Sequence, residues 1–449
     1  MMDAALDSDV GEVAELIQAM IRNRCVNDGT PDSGEETRNV DLLTGYLEGV
    51  GLDIERYTAI HGRESLVATI EGTDPNAPTL TLLGHTDVVP VNEDRWSRDP
   101  FGGEIVDGEL WGRGAIDMFN LTASMAVAIK RIAASGDPLR GTLRYVAVAD
   151  EEASGLYGAK YLVERETDAV RTDYVITESG GFPIEAADGS ISMPVLVAEK
   201  GTMASRLRVT GTPGHGSMPY GTDNALVKAA EVLGRLDAYQ PPTRVSDHWR
   251  SFVEGFGYPP ELTGPLTDEE TLAATCAALP AAIGKVAYSC NHTTLTPTVM
   301  SGGTKRNVIP DSVDIELDIR TLPGDDPASV RGMINEALGD LADQVEFDPG
   351  VAIPASESPA DTPLWDSLGR VANHFYGGSS LLPMLMPGGT DSRHFRALGA
   401  TCYGFGIYSR EMELEKMATM AHGDDERIDL ESLRLIIDMW DVLVRDFLG

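Results

Sequence analysis

The stretch Leu80-Thr81-Leu82-Leu83-Gly84-His85-Thr86-Asp87-Val88-Val89-Pro90 runs from apolar, strand-forming residues straight into a histidine and an aspartate. A short apolar run closed by glycine reads as a buried strand. A histidine leaving such a strand, with an aspartate two residues on, suits a metal ligand held from behind by a carboxylate. A lone histidine in this place is more often structural, so its surroundings decide the reading.

Those surroundings spell an α/β domain. Residues 9–23 place Val10, Val13, Ile17 and Ile21 at helical spacing, and residues 41–51 repeat the pattern with Gly51 as the stop. Apolar runs at 65–70, 79–83, 142–148 and 174–176 predict strands, and the small-residue stretch 121–134 predicts a helix between the second and third. That order predicts a largely buried sheet.

The pattern changes near Lys200. Residues 203–210 alternate apolar and polar side chains, as a strand with one wet face does. A helix at 224–236, a break at Gln240-Pro241-Pro242, strands at 294–300 and 313–321 and a helix at 327–339 follow. The order β-α-β-β-α-β predicts a small antiparallel α+β module inserted into the first domain. Residues 243–285 do not fit that unit and read as a helical elaboration. From about residue 351 the α/β pattern resumes, and it ends on an amphipathic helix at 430–448. The expected domains are therefore 1–199 with 351–449, and 200–350 between them.

Four further segments place carboxylates or histidines at the ends of predicted elements. Trp111-Gly112-Arg113-Gly114-Ala115-Ile116-Asp117-Met118 turns tightly and sets Asp117 at the start of a helix. No third glycine follows at the dinucleotide-binding spacing, so an ordinary helix cap explains the segment when it is taken alone. Ala149-Asp150-Glu151-Glu152-Ala153 crowds three carboxylates past a buried strand, an arrangement that is costly unless the loop is solvated or a cation neutralises it. Thr177-Glu178-Ser179 repeats an acid at a strand end, and Met420-Ala421-His422-Gly423-Asp424-Asp425-Glu426 sets a histidine before the last helix. Each has a bland loop reading. Together they gather two histidines and several carboxylates where α/β sheets place their sites.

Composition removes whole classes of function. The 449 residues carry 71 Asp and Glu against 35 Lys and Arg, a net charge of −36, with an isoelectric point near 4.4. A surface of that sign repels nucleic acid and anionic membrane. Only 7 of the basic residues are lysines; salt adaptation and an ordinary GC-rich bacterial background both account for this. The 42% hydrophobic content excludes disorder. Cys25, Cys276, Cys290 and Cys402 form no CxxC pair, and no apolar run reaches the ~18 residues that span a bilayer. The start has no basic, apolar leader, so a reduced, cytoplasmic protein is expected.

With these residues in view, the chain resembles the M20 metallopeptidases, the group of carboxypeptidase G, aminoacylase, dipeptidases and succinyl-diaminopimelate desuccinylase. The resemblance rests on Gly84-His85-Thr86-Asp87-Val88-Val89-Pro90, Gly112-Arg113-Gly114-Ala115-Ile116-Asp117-Met118 and Asp150-Glu151-Glu152. It implies a zinc-peptidase catalytic domain with a mixed central sheet and an inserted ferredoxin-like lid through which such chains dimerise. It also implies two zinc ions: Asp117 bridges them, His85 and Glu178 complete one, and Glu152 and His422 complete the other. Carboxylates and imidazoles without thiolate suit zinc, with manganese or cobalt as alternatives.

The remaining roles are likewise implied by the resemblance. Glu151 matches the general base, Asp87 the carboxylate that orients His85, and the Asp117–Met118 peptide a cis bond. His215, in Gly214-His215-Gly216-Ser217, matches a lid histidine that binds the oxyanion, often across a dimer. Asn307 and Arg320 match substrate contacts, with Arg320 the partner for a free carboxylate, and Gly388, Gly389 and Thr390 match a glycine loop beside the substrate terminus. His292 has no match. Phe119 stands where relatives often have lysine, and Glu178 where they have Asp or Glu. The expected activity is hydrolysis of an amide in a small peptide or N-acyl amino acid. The alternatives are a deacylase of succinyl or ureido compounds and a non-catalytic peptide binder.

Overall fold

The computed structural model describes residues 8–186 and 189–449. Its centre is a mixed ten-stranded sheet. Strand Thr79–His85 runs parallel to Thr142–Val148 on one side and to Tyr174–Thr177 on the other, and Thr401–Gly404 continues the parallel set beyond Tyr174–Thr177. The hairpin Asp53–Ile60 and Arg63–Ile70 closes one edge in antiparallel sense. Towards the other edge lies Ile191–Glu199, buried at every position, with Ser380–Met386 parallel to it. Sequence reading missed both Asp53–Ile60, which is exposed or half-buried throughout, and Ile191–Glu199, whose burial on both faces leaves no period to read.

Helices cover both faces of this sheet. Ser8–Asn23, Phe119–Ser135, Pro363–Phe375 and Leu430–Leu448 pack their apolar stripes on one face, with Trp440, Phe119 and Met20 fully buried. Ala159–Arg165 and Phe395 cover the other. Phe119 is therefore a packing residue. The helix expected at 41–51 lies at Thr37–Leu47 instead, because Val40, Leu43 and Leu47 face the core and Glu48 is already extended.

A second, antiparallel sheet takes the order Thr294–Gly302, Ser312–Thr321, Gly201–Thr210, Val345–Asp348, with helices Ala225–Ala238 and Pro327–Leu338 packed on it around a separate core. This is the β-α-β-β-α-β module expected from the sequence. The helices between its first and second strands behave differently. Asp247–Gly255, Pro260–Leu266, Leu272–Ala278 and Ala281–Asn291 bury Trp249, Val253, Leu272 and Cys290 in the core of the large sheet. By packing, this segment belongs with the large sheet, although it falls inside the 200–350 stretch expected as one insertion. Among the described residues no helix is long and apolar enough to cross a membrane.

Candidate metal centre

Three adjacent parallel strands end on the same side of the sheet, and their ends supply most of the site. His85 closes Thr79–His85, the turn Glu151–Ala153 follows Thr142–Val148, and Glu178 follows Tyr174–Thr177. Asp117 enters from the turn before Phe119–Ser135, and its peptide bond to Met118 is cis. His422 enters from the loop after Leu414–Met420. Asp150 and His422 both adopt positive φ.

Asp117 is the hub. Its Oδ1 lies 3.1 Å from His85 Nε2 and its Oδ2 lies 3.1 Å from His422 Nε2. His422 Nε2 is also 3.1 Å from Glu152 Oε2, and His85 Nε2 is 4.0 Å from Glu178 Oε2. His85, Asp117 and Glu152 can place one donor atom each within 4.8 Å of the others, and so can His85, Glu151 and Glu178. Distance alone thus groups Glu151 with the ligands as readily as Glu152.

The electrostatics are those of a site short of positive charge. Burial, reinforced by the charge of Asp391, pushes the Glu151 carboxyl well above its usual range. Burial and the charge of Asp117 do the same to Glu178 and raise Glu152 to about 7. Hydrogen bonds that His422 donates to the Asp117 and Glu152 carboxylates raise it to about 10. Glu152 Oε1 is buried without a hydrogen-bond partner. Crowded carboxylates, two imidazoles and an orphaned oxygen are a donor set that divalent cations fit.

Asp87 sits behind this cluster, fully buried. His85 Nδ1 is closest to the Asp87 backbone oxygen, at 3.0 Å, with the carboxylate Oδ1 at 3.5 Å. The carboxylate also accepts the amides of Glu151 at 3.3 Å and Glu152 at 3.2 Å. It therefore braces the Glu151–Glu152 turn as well as His85. Asn27 Nδ2 donates to Asp87 Oδ2 at 2.8 Å and to Asp150 Oδ1 at 3.1 Å, joining the two carboxylates.

The centre opens into a cleft of about 900 Å³ whose opposite wall is the second sheet. Arg320, Gly388 and Gly389 line it with Glu151, Glu152 and His422. Arg320 arrives already paired, with Nε 2.8 Å and Nη2 3.2 Å from the Asp318 carboxylate. Thr390 does not face the cleft. It is buried, and Glu199 accepts both its amide, at 2.6 Å, and its hydroxyl, at 3.0 Å. His215 and Asn307 stand apart from the cleft lining. They are exposed neighbours across the small ladder Gly214–His215 with Val308–Ile309, where Gly216 N donates to Asn307 O.

Residues 81–446 match the family model described as Peptidase family M20/M25/M40. The chain belongs to that family. As a member of M20 it is an enzyme of the hydrolase class. It is 27% identical over 400 residues to N-fatty-acyl-amino acid synthase/hydrolase PM20D1 of Xenopus tropicalis, covering 86% of this chain and 75% of that protein. It is 25% identical over 418 residues to aminoacylase-1 of Sus scrofa, covering 92% and 89%. Succinyl-diaminopimelate desuccinylase of Maricaulis maris is 32% identical over 239 residues, covering 53% and 57%. In fold, the M20 family metallo-carboxypeptidase Sso-CP2 from Sulfolobus solfataricus superposes with a TM-score of 0.70 at 18% identity, covering 98% of this chain and 99% of that one.

Three supporting residues escaped the sequence reading. Asn27 and Glu199 act through long-range hydrogen bonds that no local spacing encodes. Glu426 lay inside a quoted segment but carried no role, since its partners are backbone amides more than 300 residues away in the chain.

Proposed function

We propose that this M20 enzyme hydrolyses the amide bond of an N-acyl amino acid or small peptide that ends in a free carboxylate, using two divalent ions, zinc in the first instance. The observation that carries the reading is Asp117, whose two oxygens face two different histidines, as a carboxylate bridging two ions must. His85 and Glu178 would hold one ion, and Glu152 and His422 the other. Bound there, the ions supply Lewis-acid charge to the carbonyl and acidify water.

Glu151 is the base in this reading. Glu152 is turned to His422 and Asp117, while Glu151 makes no ion pair among the described residues. Glu151 accepts a proton from the attacking water and returns it to the departing nitrogen. His215 and Asn307 are exposed and outside this chain's own cleft, so they serve only if a second copy brings them to it. Exposed apolar side chains on the same unit, Met218, Tyr220, Val227, Val299 and Met300, support such a homodimer. In that arrangement the α+β module within 200–350 acts as lid and dimer arm. The four cysteines are free and buried, which supports a reducing, cytoplasmic setting.

The N-acyl reading is favoured over the succinyl one because the acylase relatives align along most of the chain and the desuccinylase along about half. The test is a screen of zinc-supplemented protein against N-acetyl amino acids and dipeptides, read by release of free amine. Release from at least one acid-bearing compound is expected. No release from any of them contradicts the proposal.

A further inference from the structure

The loop that carries Glu178 is threaded against the loop that follows strand Thr401–Gly404. That strand runs parallel to Tyr174–Thr177. Beyond its end, Phe405 N donates to Thr177 O at 3.0 Å and Gly406 N to Gly180 O at 3.2 Å. Glycine permits the approach. A Cβ at Gly404 would overlap the Glu178 backbone oxygen, and one at Gly181 would overlap the Gly406 oxygen. Both obstacles are backbone atoms, which cannot swing aside as a side chain can. The place of Glu178 is therefore set by residues 404–406.

Tyr408 stands two residues past this contact. It is fully buried, and its ring lies over the bare face of Gly406, where a Cβ would stand 2.9 Å from Cε2. Its hydroxyl accepts from Asn120 Nδ2 at 3.3 Å. Asn120 is buried in the first turn of Phe119–Ser135, just past Asp117, and its Oδ1 has no hydrogen-bond partner. An amide with an idle oxygen is costly in an apolar helix, so packing alone does not account for Asn120. Burial keeps the Tyr408 phenol protonated, and the charges of Glu178 and Asp117 push the same way. The hydroxyl thus keeps a proton to give in the field of those two carboxylates.

We propose that Tyr408, paired with Asn120, is a positioning residue that fixes Glu178 relative to Asp117 and so supports one ion of the pair more than the other. Glu178 and Asp117 belong with His85 to the first proposed ion. Glu152 and His422, assigned to the second, stand on other loops. The inference rests on the two-ion reading, and it adds what couples two ligands carried by separate elements.

The test is a double-mutant cycle on zinc affinity. Wild type, Tyr408→Phe, Asn120→Leu and the double variant are titrated with zinc against a chromogenic chelator. Tyr408→Phe keeps the ring on Gly406 and removes only the hydroxyl. Each single variant should weaken one ion about 10–100-fold and leave the other within a few-fold. The double variant should fall no further than the weaker single, because the two residues act as one unit. Equal losses at both ions, losses that multiply in the double variant, or wild-type affinity in Tyr408→Phe overturn the proposal. Thermal midpoints of the zinc-free proteins separate support of the ligands from support of the fold. Tyr408→Phe should melt near wild type, and a zinc-free midpoint that falls in step with the affinity overturns the proposal as well. Fewer than two ions on wild type overturns the two-ion reading and this inference with it. Two ions on wild type with unchanged binding in Tyr408→Phe overturns the Tyr408 assignment alone.

Discussion

Glu426 Oε1 accepts the backbone amide of Asp117 at 3.1 Å. The same carboxylate takes the amides of Ile116 at 2.7 Å and Gly114 at 3.1 Å and the guanidinium of Arg113 at 2.6 Å, while Gly112 N donates to its backbone oxygen. Since His422 lies in the same loop as Glu426, one fully buried carboxylate ties the turn carrying Asp117 to the loop carrying His422. Glu426→Ala should weaken zinc binding by about 10–100-fold in competition with a chromogenic chelator. Glu426→Gln, which keeps one acceptor oxygen, should lose less. A folded Glu426→Ala protein with wild-type affinity would remove Glu426 from the support of the site.

Arg63 anchors the polar network one layer further back. It is buried, pairs with Glu36, approaches Asp150 at 3.4 Å and donates to Asn27 Oδ1 at 3.1 Å. Asn27 in turn holds Asp87, so the network ends on the Glu151–Glu152 turn. Removing one partner strands buried charge, and Arg63→Met should cost about 3–5 kcal/mol in urea unfolding. A loss below about 1 kcal/mol would contradict this account of the network.

Gly114 tests the packing of the turn itself. Its φ is +89°, and a Cβ there would stand 2.7 Å from the buried Phe119 ring and 2.8 Å from Val88. Gly114→Ala therefore combines overpacking with a backbone conformation that alanine avoids. A destabilisation of about 1–3 kcal/mol is expected, read as a lower thermal midpoint. An unchanged midpoint would mean that Phe119 yields freely.

His292 makes a pH prediction away from the metal centre. It is buried and stacked on Tyr288, with Nε2 2.8 Å from Thr243 Oγ1 and Nδ1 2.8 Å from Tyr288 O. Burial depresses its pKa below the usual 6.5. The unfolded chain then binds a proton that the folded chain refuses, so His292 removes stability as pH falls through the unfolded value, about 6.5. Unfolding free energies measured from pH 7.5 to 5 should decline more steeply in wild type than in His292→Gln. Parallel declines would contradict the assignment.

The sequence carries the strands that end on ligands because those runs are short, apolar and closed by glycine or acid, as at Leu80–Leu83 and Val146–Val148. It also carries the α+β module, through the strict alternation at 203–210. It does not carry Ile191–Glu199, which is buried on both faces and has no period to read. Nor does it reveal that residues 247–291 pack on the large sheet, because an apolar helix stripe does not say which core receives it. At the site, the segments that carry Asp117, Glu152 and the two histidines stand out in the sequence, and the structure brings these side chains together. Pairing state is a property of three-dimensional neighbours, so only the structure shows Arg320 held by Asp318.

The central claim is that Glu151 moves the proton while its neighbours hold the metal. Metal content and turnover of Glu151→Gln, measured side by side on one zinc-loaded preparation, test it most directly. The account predicts two ions per chain, as in wild type, with amide hydrolysis lowered by about 10²–10⁴-fold. Wild-type turnover in that variant, or the loss of an ion along with activity, would contradict it.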